Sequence, residues 1–128
     1  MNYIFDTHAV LWYLNDDAKL SPKVSNIMEI STHKGFISQA TLFEMAIKIS
    51  LGKLELPCSW EDIFFYFNKA NWSILGLRNA DFVALSALPF HHGDPFDRLI
   101  ACQALNQNMT LLSKDTIFDS YGVSRIWD

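Results

Sequence analysis

Four short apolar runs, NYIF at 2–5, GFIS at 35–38, WSIL at 72–75 and TLLS at 110–113, are separated by longer stretches whose apolar residues recur at helical spacing. Near-continuous apolar runs of this length fill strands buried on both faces. Strands that keep alternating with helices predict an α/β fold built on a mostly parallel sheet. In such sheets ligands gather outside the carboxyl ends of the strands, so the residues just after each run carry the functional interest.

The intervening stretches read as helices with identifiable starts and stops. THAVLWYLN (7–15) follows the first run, and Ser21 with Pro22 opens a second helix running to about Thr32. QATLFEMAIKISLG (39–52) sets Leu42, Ala46 and Ile49 on one side and ends at Gly52. SWEDIFFYFNKA (59–70) is capped by Ser59, RNADFVALSAL (78–88) is closed by Pro89, and a further helix starts at Pro95. VSRIW (123–127) adds a short edge strand. With 128 residues, half of them hydrophobic, and no repeat or linker, the chain is expected to form one domain over 1–128.

Ten Lys and Arg against fourteen Asp and Glu leave a formal charge of −4, which argues against a broad basic surface for nucleic acid but leaves room for a local site. The opening MNYIFD lacks a basic n-region, and no apolar run reaches the length of about 18 residues that a membrane helix needs. The expectation is a cytoplasmic protein with no membrane partner. Cys58 and Cys102 match neither a zinc spacing nor a redox pair and read as buried free thiols.

Each acid has an ordinary local role and a functional one. Asp6 follows the first strand, where it can cap the next helix. Glu44 precedes Lys48 by four residues, the spacing of a solvated ion pair, yet Phe43, Met45, Ala46 and Ile47 around it leave little room for a polar face. Asp94 before Pro95 is well placed as an N-cap, and Asp97 falls at the third helical position of a helix that is apolar nearly all round. Asp115 follows the last long run as a turn residue. Asp6, Glu44, Asp97 and Asp115 all fall where a parallel sheet can bring them to one edge. Carboxylates gathered there would need hard divalent cations such as Mg²⁺ or Mn²⁺ to compensate them, and such a site can activate water against a phosphodiester. No catalytic triad or phosphate-cradling glycine loop is present. His8, His91 and His92 read as surface or supporting residues, because adjacent histidines chelate one metal poorly.

On the stretches FDTHAVLWYL, SQATLFEMAIKISLGKLEL, HHGDPFDRLIACQA and TLLSKDTIF, the sequence resembles the PIN-domain family, and within it the VapC-type toxins of bacterial toxin–antitoxin pairs. The resemblance implies a three-layer α/β/α sandwich carrying a metal-dependent ribonuclease, homodimeric, with an RNA substrate and an inhibiting antitoxin as partners. It implies metal ligation and catalysis by Asp6, Glu44, Asp97 and Asp115 around Mg²⁺ or Mn²⁺, with Asp94 as an accessory acid beside its capping role. Gly93 stands where relatives often carry a basic residue, and Ser113 where threonine is common.

Lys48, Lys53, Arg98 and Lys114 are candidate phosphate contacts, with Arg98 preferred for its place beside Asp97, and Ser113 joins them as a hydroxyl near Asp115. The exposed part of IFFYF (63–67) is expected to meet a second subunit or an antitoxin. Three other functions compete. A phosphoacceptor signalling module would want paired acids at the first strand, which Asp16 and Asp17 lie too far along to supply. An aspartyl phosphohydrolase would want an acid where His8 stands. A catalytically silent PIN fold that only binds partners would have no need of all four acids.

Overall fold

The computed structural model describes residues 1–30 and 32–128. Five strands, β1 (Asn2–Phe5), β2 (Lys34–Ser38), β3 (Trp72–Leu75), β4 (Thr110–Leu112) and β5 (Arg125–Ile126), form one sheet in the order β3-β2-β1-β4-β5. All four pairings are parallel. Parallel neighbours need crossovers, and six helices supply them: α1 (Thr7–Leu14), α2 (Pro22–Glu29), α3 (Gln39–Ser50), α4 (Trp60–Lys69), α5 (Asn79–Ala87) and α6 (Pro95–Asn106). A 3-10 helix over Thr116–Tyr121 connects β4 to β5.

Period-two alternation along the strands divides the interior into two cores. Tyr3, Phe5, Ile37, Trp72 and Leu112 face one side, against Val10, Val24, Met28, Ile63 and Phe67 of α1, α2 and α4. Ile4 and Leu111 face the other, against Ala40 of α3, Ile100, Ala101 and Ala104 of α6, and Phe118 of the 3-10 helix. Each large side chain so withdrawn from water contributes about 1.5–3 kcal/mol. This is the three-layer sandwich expected of the family. Gly35 belongs to the first core by having no side chain: a Cβ there would collide with the Phe5 ring.

Capping follows the sequence closely. Ser21, Ser38 and Ser59 each accept a backbone N–H in the first turn of α2, α3 and α4. The expected helix to Thr32 is shorter: α2 ends at Glu29 because Ile30 is already extended, and Ser31 lies outside the described residues. Cys102 is buried as expected, but Cys58 is exposed in the turn before α4, where no core remains to cover it. Among the described residues no helix is long and apolar enough to cross a membrane.

Candidate functional site

β1 and β4 are neighbours at the middle of the sheet. From β1 the chain builds outward through β2 and β3, then returns to the other side of β1. That reversal leaves a crevice at the carboxyl ends of β1 and β4. Asp6 leaves β1 there, its backbone N–H donating to the carbonyl of Leu112 at 3.0 Å. It stands at the N-cap position of α1, yet its side chain makes no capping bond. Oδ2 instead accepts from the Ser113 hydroxyl at 2.7 Å, and Oδ1 is buried without a hydrogen-bond partner among the described residues. The local capping role does not account for this side chain.

The Ser113 hydroxyl also accepts from the Asp115 N–H at 3.0 Å, so one oxygen ties together the acids that follow two adjacent strands. Asp115 caps the 3-10 helix through Oδ1, which accepts from Ile117 N–H at 3.0 Å. Its Oδ2 lies 2.9 Å from His92 Nε2. The second acid on that nitrogen is Asp97, whose Oδ2 is 3.1 Å away. Asp97 is held by its helix start: Asp94 Oδ1 accepts from the N–H groups of Phe96 at 2.8 Å and Asp97 at 3.2 Å, and Pro95 needs no partner.

Glu44 reaches the site from α3. The expected ion pair with Lys48 is present at 2.8 Å, but it is not a solvated pair, because Glu44 is only 3 % exposed. Glu44 Oε1, like Asp6 Oδ1, is buried and unpartnered among the described residues. The electrostatics of Asp97 gather the acids into one neighbourhood. Burial, followed by the charges of Asp6, Asp94, Glu44 and Asp115, pushes its carboxyl up to about 8. Burial also raises Asp6, against the opposing bond from Ser113.

A buried polar atom without a partner costs about 1–3 kcal/mol, more when charged, and folded proteins keep few of them. Two such oxygens in one acidic cluster suit a divalent cation with hard oxygen preference. Among the described residues, Asp97 and Asp115 offer ligand atoms at metal spacing, in a group with His92 that does not include Asp6 or Glu44, whose unpartnered oxygens could complete a site around a cation. Access is from a cavity of about 230 Å³ lined by Asp6, His8, Trp12, Lys114 and Asp115.

Other expected contacts are placed differently. Arg98 is 5 % exposed and its guanidinium donates to the carbonyls of Pro89 at 2.9 Å and Leu88 at 3.1 Å, so it braces a loop instead of offering itself to a phosphate. Ser113 is fully buried and holds acids, out of reach of a substrate. Lys48 is committed to Glu44, while Lys114 is exposed at the cavity rim. His92, read from sequence as a surface or supporting residue, stands between two of the acids. The one signal for it in the sequence was its place two residues before the capping Asp94.

The PIN domain family matches the chain over residues 3–123. The chain belongs to the PIN-domain family. Proteins with this domain are typically nucleases, and generally use a divalent metal. Three solved structures share the fold of this PIN domain. VapBC2 from Rickettsia felis, bound to a DNA fragment from its promoter, matches with a TM-score of 0.74 at 16 % identity, over 100 % of both chains. FitAcB from Neisseria gonorrhoeae matches at 0.67 and 14 % identity, over 97 % of this chain and 96 % of that one. FitAB bound to an IR36 DNA fragment matches at 0.66 and 16 %, over 97 % and 93 %. No curated protein matches the chain.

Proposed function

We propose that this PIN domain is a metal-dependent endoribonuclease, the VapC-type toxin of a toxin–antitoxin pair, acting in the cytoplasm. The observation that supports it most is the pair of buried, unpartnered carboxylate oxygens, Asp6 Oδ1 and Glu44 Oε1, on two acids whose charges raise Asp97 beside them. Asp6, Glu44, Asp97 and Asp115 hold Mg²⁺ or Mn²⁺ in this reading. When bound, the cation supplies a nucleophilic water at neutral pH and charge stabilisation at the phosphodiester. The protein's own groups set the stage for it. Ser113 orients Asp6 and Asp115, Lys48 neutralises the outer oxygen of Glu44, and Lys114 offers a phosphate contact at the rim.

Exposed apolar surface supports the partners. Phe65 is 69 % exposed beside a cavity of about 490 Å³ lined by residues that include Tyr13, Leu14, Ile63 and Tyr66, a groove suited to the apolar face of an antitoxin segment. Phe43, Ile47 and Leu51 form a second exposed stripe on and just beyond α3, suited to a second copy of the chain. Light scattering of the purified chain is expected to give the mass of two copies, and a monomer would remove the homodimer from this reading.

The deciding experiment purifies the chain free of antitoxin and compares RNA cleavage in Mn²⁺ or Mg²⁺, in EDTA, and with Asp6→Asn. Cleavage is expected only with metal, and not in the folded Asp6→Asn protein. Equal cleavage by both proteins, or by the wild type in EDTA, would overturn the assignment.

A further inference from the structure

The loop from 88 to 94 between α5 and α6 is tied down at several points. Arg98 holds the carbonyls of Leu88 and Pro89, with the Phe90 ring 4.0 Å from its guanidinium carbon. The Tyr121 hydroxyl accepts from the His92 N–H at 2.8 Å and lies 3.5 Å from Arg98 Nη1. His92 packs its ring against Phe118, centroids 5.8 Å apart. So much bracing delivers one imidazole into the acidic crevice.

The tautomer of that imidazole follows from its neighbours. His92 Nδ1 is 3.1 Å from the Asp94 N–H, a group that can only donate, so Nδ1 carries the lone pair and the ring proton sits on Nε2. Nε2–H then points at Asp115 Oδ2 and Asp97 Oδ2 together. His92, Asp97 and Asp115 offer atoms within 4.8 Å of one another, the spacing of a three-ligand metal site. A protonated nitrogen has no lone pair for a cation, and releasing one would forfeit the Asp94 bond.

We propose that His92 is the positioning residue of this site: its Nε2–H spans Asp97 and Asp115 and sets their spacing for a cation, without becoming a ligand itself. The inference rests on the metal-centre reading above. It completes a relay of bonds, in which Ser113 joins Asp6 to Asp115 and His92 joins Asp115 to Asp97. Three acids from three separate elements are thereby registered by two small polar groups. It also leaves the donor set all oxygen, which favours Mg²⁺ and Mn²⁺ over zinc.

The test is Mn²⁺ binding to the metal-free protein by calorimetry, independent of any RNA. His92→Ala is expected to weaken binding by about tenfold, as loss of a group that orients metal ligands does. His92→Gln, whose amide N–H can stand where Nε2–H stood, is expected to recover most of it. Pulsed EPR of bound Mn²⁺ should show no coupling to a directly bound imidazole nitrogen. Wild-type affinity in His92→Ala would reduce His92 to packing, and nitrogen coupling would make it a ligand; either overturns the proposal. If His92→Ala fails to fold, His92→Asn, too short to span both acids, replaces it: weak binding beside a tight His92→Gln supports the proposal, and equal affinities overturn it. A wild-type protein that binds no Mn²⁺ at all would overturn the metal centre itself, and this inference with it.

Discussion

Ser113 illustrates how much one hydroxyl does at this edge of the sheet. It donates to Asp6 Oδ2 and accepts from the Asp115 N–H, with no solvent to replace either bond. Ser113→Ala would leave a buried carboxylate oxygen and a backbone donor without partners. We expect the metal-free variant to lose about 1–3 kcal/mol in urea denaturation, with weaker Mn²⁺ binding, while Ser113→Thr keeps both properties. Unchanged stability in Ser113→Ala would show that Asp6 finds another donor. The sequence placed a hydroxyl beside Asp115 from their adjacency, but its bond to Asp6 spans 107 positions and leaves no periodic trace. Arg98 was misread for the same reason: its neighbour in sequence is Asp97, whereas its partners are carbonyls 9 and 10 residues back in a loop.

Among the elements, α6 carries the most consequence, because its first turn sets where Asp97 points. Asp94 caps that turn, and the sequence suggested a second role for it as an accessory acid. Two substitutions separate them. Asp94→Ala removes the cap and is expected to cost about 1 kcal/mol of stability, read as a lower Tm, along with activity. Asp94→Asn keeps an oxygen for the Phe96 and Asp97 amides, so stability should hold; cleavage that nevertheless falls would assign the negative charge its own part, and cleavage that holds would leave Asp94 a cap alone. At this scale the sequence was a good guide. Apolar runs and capping residues located all five strands and six helices, since period and caps are local. The burial of Glu44 was also legible, from the apolar Phe43, Met45, Ala46 and Ile47 around it. The loop from 88 to 94 was not, for it has no period, and His92 meets Asp115 at a separation of 23 residues.

For the whole molecule, the acidic crevice sets fold stability against function. Asp97 has an ordinary value of 3.8 and is pushed up to about 8 in the folded metal-free protein. Between those values the folded state binds more protons than the unfolded chain, so this group's stabilising effect is complete below 3.8 and is lost as pH rises through about 8. Asp6, raised in the same direction, adds to the slope. Thermal melts of metal-free protein should therefore show Tm falling between about pH 4 and pH 8, apart from the usual titrations elsewhere. Asp97→Asn isolates the contribution, because it removes the group that titrates: its profile should be flatter, and it should be the more stable protein at the alkaline end while cleaving no RNA, the trade expected where a site is kept charged for use. Added Mn²⁺ should raise Tm more at the alkaline end than at the acid end, since at low pH the cation must displace the Asp97 proton before it can bind. Parallel profiles for wild type and Asp97→Asn would mean that the repulsion is relieved some other way, and that the crevice is not the source of the pH dependence.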